Sequence, residues 1–186
     1  MANKDAAFGL KAIGKVGQNR DNQGLSEYDI AASATAIYQN DPVKMLATGT
    51  IGVAAAGDVL LGALTGVFFT DASTSKPTYA NHLEASNTAT DIVGFVADDP
   101  YERFEVQSAG TPAQTNIGNC ADIVYAAGSS PNYVSKVEIS GTMAASTAQL
   151  KIIGVSRDPD NNELGSANAN LIVNINEHFL KATAGI

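Results

Sequence analysis

Residues 51–69, IGVAAAGDVLLGALTGVFF, decide between two architectures. The run is long enough to cross a bilayer as a helix, and Gly62 and Gly66 stand at the GxxxG spacing of packed membrane helices. Against a span, Asp58 sits in the middle, where a carboxylate costs on the order of 3 kcal/mol at a bilayer centre. Gly52, Gly57, Gly62 and Gly66 each lower helix stability by about 1 kcal/mol in water, and basic or aromatic anchors do not flank the run. Two β segments, 50–55 and 59–70, fit better, with Gly57-Asp58 as the hairpin turn between them because glycine supplies the positive φ of a primed turn. The expectation is strands, with no membrane partner.

Outward from this run the same signals recur. Upstream, residues 27–31, 35–38 and 43–47 are short apolar or alternating segments bounded by Asn, Asp, Gly or Pro. Downstream, residues 92–97 and 103–107 flank Asp98-Asp99-Pro100, where proline fixes a turn, and residues 135–140, 149–155 and 170–176 are further strands. Residues 71–90 are polar and read as a long exposed loop, residues 108–118 as a second loop, and residues 119–127 fit a strand or a short helix. Short, evenly spaced strands without a long amphipathic helix predict an all-β antiparallel sandwich or barrel. Residues 26–186 are expected to form this β domain. Residues 1–25, broken by Gly9, Gly14, Gly17 and Gly24, are expected to form an extended N-terminal arm, ordered only if it docks on another surface.

Composition narrows the function. Of 186 residues, 16% are charged, and 11 Lys plus Arg against 19 Asp plus Glu give a net charge of -8, which disfavours nucleic acid as a partner. The single Cys120 permits no internal disulfide, and His82 and His178 are too far apart in sequence for zinc spacings, so no metal or other cofactor is expected. No signal-peptide pattern opens the chain, and folding in a reducing cytoplasm is the default.

Candidate chemistry is sparse. Asp158, Asp160 and Asn162 alternate like the first ligands of a calcium loop, but Glu163 stands at the glycine position and Ala169 at the bidentate glutamate position, leaving a plain Asp-Pro turn. Glu177 and His178 are adjacent on a strand and so point to opposite faces, which makes a solvated strand end or a contact with a neighbouring chain the expectation. No Gly-x-Ser-x-Gly elbow or phosphate-binding loop occurs, and enzymatic activity is not expected. The run from Asp98 to Glu105, with Asp98, Asp99 and Arg103, fits either a solvated hairpin tip or a surface for cations or a basic partner.

Four segments carry a resemblance: Ala6-Ala7-Phe8-Gly9-Leu10, Gln39-Asn40-Asp41-Pro42-Val43, Gly94-Phe95-Val96-Ala97-Asp98-Asp99-Pro100 with Phe104-Glu105-Val106-Gln107, and Val173-Asn174-Ile175-Asn176-Glu177-His178. Across most of the chain they resemble small virion structural proteins of tailed bacteriophages, particularly those of aquatic hosts. The resemblance implies a capsid decoration or cement protein, made in the host cytoplasm. It would bind the capsid exterior where major capsid subunits meet, commonly as a homotrimer, with no catalytic residue to carry over. On that reading the arm binds the capsid through the apolar anchors Phe8 and Leu10 and the basic Lys11, Lys15 and Arg20, and Asp98, Asp99, Arg103, Glu177 and His178 form a further interface. The rival readings are a tail-tube or tail-associated β protein and, less favoured with no Trp and 6% aromatics, a carbohydrate-binding β module.

Overall fold

A computed structural model describes residues 2–17, 24–143 and 145–181. In chain order the strands are β1 (Lys11–Lys15), β2 (Ser26–Asp29), β3 (Pro42–Met45), β4 (Ile51–Val53), β5 (Gly62–Thr70), β6 (Pro77–Ala80) and β7 (Val93–Ala97). They continue as β8 (Glu102–Gln107), β9 (Cys120–Ala121), β10 (Ile123–Val124), β11 (Glu138–Ile139), β12 (Leu150–Val155) and β13 (Asn170–Ile175). The chain is 39% strand without α-helix among the described residues, and its antiparallel sheets pack as a sandwich instead of closing into a barrel. None of the described helical segments is long and apolar enough to cross a membrane.

One sheet has the order β1-β8-β13-β12-β9 and the other β2-β7-β5-β3-β4, with β6 added to the free edge of β5; β10 and β11 form a small separate ladder. The run at 51–69 is thus two strands and a turn. Gly57 has φ +82, and the Asp58 N–H donates to the Ala55 carbonyl at 3.2 Å, closing the turn. The expected hairpin is corrected in one respect: β4 and β5 do not pair. Val43 of β3 is the register partner of both Val53 and Gly62, so β3 lies between them, and the connection is long enough to step across it.

The packing explains why this run lacks alternation. Neighbouring residues enter different apolar clusters: Leu60 and Ala63 join Phe104, Leu150 and Val173 under the five-stranded sheet, whereas Leu61 and Leu64 join Ile37, Val43, Ile51 and Leu83 on the opposite side. A strand buried on both faces reads as a continuous apolar stretch, which is also what a membrane helix looks like in sequence. Gln149, fully buried, ties the turn to the five-stranded sheet, its Nε2 donating to the carbonyls of Ala55 at 2.8 Å and Asp58 at 2.7 Å.

Other elements depart from expectation. Residues 35–38 contribute only the Ile37–Leu83 bridge, and residues 135–140 shrink to the two-residue β11. The polar stretch 71–90 contains β6, held to β5 through four register pairs from Val67↔Ala80 to Thr70↔Pro77. Residues 119–127 resolve as strands, β9 and β10, with Cys120 buried.

Candidate interaction surface

The N-terminal segment does not stand apart from the β domain. β1 is an edge strand of the five-stranded sheet, in register with β8 from Lys11↔Glu105 to Lys15↔Glu102. Ahead of it, side-chain amides grip the backbone: the Asn3 Nδ2 donates to the carbonyls of Glu163 and Ala167, Asn161 and Gln107 both donate to the Lys4 carbonyl at 2.8 Å, and Asn40 donates to the Phe8 carbonyl at 3.0 Å. Gly9 has φ +75, and a Cβ there would lie 2.4 Å from the Asn40 carbonyl oxygen, so only glycine fits. Leu10, expected to anchor on a partner, is fully buried in this chain's own core, while Phe8 is half-buried and Lys11 exposed. Lys15 pairs with Asp99 at 2.7 Å and Lys4 with Asp160, so these charges meet acids of the same chain. Arg20 lies outside the described residues. The separate arm at 1–25 is therefore corrected over its described residues: its ordering surface is the sandwich itself.

The second predicted group partly converges on the same end of the sandwich. Asp98 accepts from the Ser26 hydroxyl at 2.9 Å and the Tyr28 phenol at 2.6 Å, and burial, followed by that carboxylate, pushes the phenol up to about 12. The Lys15 ammonium holds the Asp99 carboxyl below its usual range, and Glu102, nearly buried, accepts from the Gly14 N–H at 3.2 Å. His178 corrects the expectation of a solvated strand end. It is 2% exposed, its Nδ1 accepts from the Leu180 N–H at 3.1 Å, and its Nε2 has no hydrogen-bond partner of normal geometry, although the Asp98 backbone is close enough to favour the charged ring. Burial is the main force pushing it down to about 4, with Lys181 adding to it and Asp98 and Asp99 opposing. Glu177 contributes its carbonyl to the Leu60 N–H at 2.9 Å. Arg103 is not part of this cluster, since alternation along β8 turns it away from Glu102 and Phe104. A cleft of about 440 Å³ lies here, lined by Lys15, Leu25, Asp98, Asp99, Pro100 and Leu180 among others. Lys15 and Asp99 pair with each other and Asp98 is held by the Ser26 and Tyr28 hydroxyls, which makes the region a seam joining β1, β2, the β7–β8 turn and the end of β13.

Asp41 is a titratable group that sequence reading did not single out for chemistry. It is fully buried before β3, its Oδ2 accepts from the Tyr38 N–H at 2.8 Å, and its Oδ1 is unpartnered. Burial pushes its carboxyl up to about 6, opposed by the Ser135 hydroxyl and the Tyr38 amide. His82, in the polar stretch, stacks on Tyr133 with centroids 3.8 Å apart and bonds Asn81 through Nδ1 at 2.9 Å.

The most exposed aromatic surface lies on the face of the six-stranded sheet that bears Ala63 and Ala97. Register places Asp29, Val93, Phe68 and Tyr79 in one row across β2, β7, β5 and β6, with Glu27 and Phe95 in the next row opposite Gly66. Without a side chain at Gly66, the rings of Tyr79 and Phe95 approach to 6.4 Å at an interplanar angle of 16°, and Phe68 lies 4.8 Å from Tyr79. Tyr79 is 75% exposed, while Phe68, Phe95 and Val93 are half-buried. The sequence reading missed this surface because it placed Tyr79 in a loop; the Pro77-Thr78-Tyr79-Ala80 alternation is the signal that locates it. No protein-family model matches the chain, and no curated protein or solved structure matches it either.

Proposed function

We propose that this chain is a structural protein of a tailed-phage virion, a decoration protein that sits on the outside of an icosahedral head and bridges neighbouring major capsid subunits as a homotrimer. The observation that carries the reading is the aromatic ladder of Phe68, Tyr79 and Phe95, partly uncovered on a broad sheet face. Exposed aromatics grouped on one surface mark contact with another macromolecule. The acidic balance of the chain fits a place outside a DNA container better than one lining it. A protein that binds assembled subunits and not free ones stabilises the assembled shell by RT ln(1 + [L]/Kd) per site, and repetition over a lattice multiplies this term. The test adds purified protein to heads that lack it and locates it by electron microscopy while heads are heated. Symmetry-related density on the head exterior together with a higher disruption temperature supports the reading; density confined to the tail refutes it in favour of a tail protein.

A further inference from the structure

Resting on that reading, we infer that the Tyr79 face of the six-stranded sheet is the surface that meets the shell, and that the shell surface it meets is a protein patch presenting Arg or Lys side chains around an apolar centre. The arrangement of charge on this face selects that partner. Glu27 is the register partner of Phe95 and Asp29 of Val93, so two exposed carboxylates border the aromatics along β2. Asp91 closes a third row beside Thr70, whose N–H and hydroxyl donate to it at 3.0 Å and 2.6 Å, and these bonds hold its carboxyl in the charged form. The face is therefore an apolar ridge with an acidic border. Tyr79 and the β2 carboxylates stand three strands apart in the row, so one basic side chain of the partner laid over the Tyr79 ring gains cation–π attraction while a second one meets Glu27 and Asp29. A glycan needs a ring platform too, but the three carboxylates of Glu27, Asp29 and Asp91 favour a cationic protein surface. The exposed Glu27 and Asp29 work against a second copy that presents the same face as the occupant.

The test is co-sedimentation with heads stripped of this chain, at low and high salt, comparing the native protein with Tyr79→Ala, with the double variant Glu27→Lys/Asp29→Lys, and with Tyr101→Ala as a control on an exposed tyrosine elsewhere. Tyr79, Glu27 and Asp29 are exposed, and circular dichroism with melting curves establishes that each variant is folded. The expected result is at least tenfold weaker binding for Tyr79→Ala, a comparable loss with a flattened salt dependence for the double variant, and no change for Tyr101→Ala. Native protein that binds while both variants bind equally well overturns the inference and leaves the decoration reading standing. Native protein that fails to bind heads at all overturns both. Sedimentation showing that Tyr79→Ala dissociates an oligomer, or binding of a neutral polysaccharide that Tyr79→Ala abolishes, assigns the face to another occupant and overturns the inference.

Discussion

The Gln149 side chain donates to the Asp58 carbonyl at 2.7 Å across more than ninety residues of chain, and through the same nitrogen to Ala55 at 2.8 Å. Its Oε1 meanwhile accepts from the Ile123 N–H at 3.0 Å. One fully buried amide thus satisfies two carbonyls of the 55–58 turn, which itself lies at the surface, and an amide of β10. Replacing Gln149 by Leu keeps the volume and orphans the Asp58 carbonyl and the Ile123 N–H, while the Ala55 carbonyl keeps the Asp58 N–H; at about 1 kcal/mol for each orphaned group, a loss of about 2 kcal/mol is expected in urea unfolding. Gln149→Glu should be worse than Gln149→Leu at pH 7, because a carboxylate then faces two carbonyl oxygens. It should recover on acidification, when the protonated acid again offers a donor. Equal stability of all three proteins would show that the turn is held by its own Asp58 bonds alone.

Leu10 separates the two accounts of the N-terminal segment. As part of the core, Leu10→Ala should destabilise the protein by about 3 kcal/mol, whereas Lys11→Ala, on an exposed position of the same strand, should stay within about 0.5 kcal/mol. Removal of residues 2–9 should likewise lower the melting temperature, since Gln107, Asn161 and Asn40 lose the backbone partners they now hold. A truncated protein that melts like the native one would restore the picture of a dispensable arm.

The strand content and an antiparallel sandwich or barrel were legible because turns and short β-rich segments are local signals: the β7–β8 turn at Asp98-Asp99-Pro100 and the alternation of β12 and β13 need no knowledge of the rest of the chain, whereas the choice of a sandwich over a barrel depends on how the sheets pair. What was not legible depended on distant polar groups. Gln107 and Asn161 grip Lys4 from more than a hundred residues away, and nothing in hydrophobic periodicity marks an amide as a clamp. The insertion of β3 between β4 and β5 is hidden for a similar reason, since a turn signal fixes the turn but not which strands pair across it. Of the candidate surfaces, the acidic end was visible as a charge run, but its closure by Lys15, Tyr28 and His178 was not. The aromatic ladder needed the register of three strands, β5, β6 and β7.

Asp41 and His178 make opposite demands on acid stability, and their opposition is measurable. For Asp41 the carboxyl is pushed up to about 6 in the folded chain from an ordinary value of 3.8, so the folded state binds more protons between those limits; stability from this group rises as pH falls from 6 towards 3.8. For His178 the ring is pushed down to about 4 in the folded chain from an ordinary value of 6.5, so the unfolded state binds more protons, and stability from this group is lost as pH falls from 6.5 towards 4. The acids facing His178, Asp98 and Asp99, and the neighbouring Lys181 are present in every variant compared, so differences between profiles isolate the two groups. Asp41→Asn, which keeps an acceptor for the Tyr38 N–H, should be more stable than the native protein at pH 8 and should lose stability more steeply on going from pH 6.5 to 4. His178→Gln should show the reverse tilt, gaining stability relative to the native protein over the same interval, with the native profile lying between. Chemical denaturation at half-unit steps from pH 4 to 8 reads all three curves. Parallel curves would mean that neither group titrates differently in the folded and unfolded chains, and the two burials would then have no consequence for the acid tolerance of the protein.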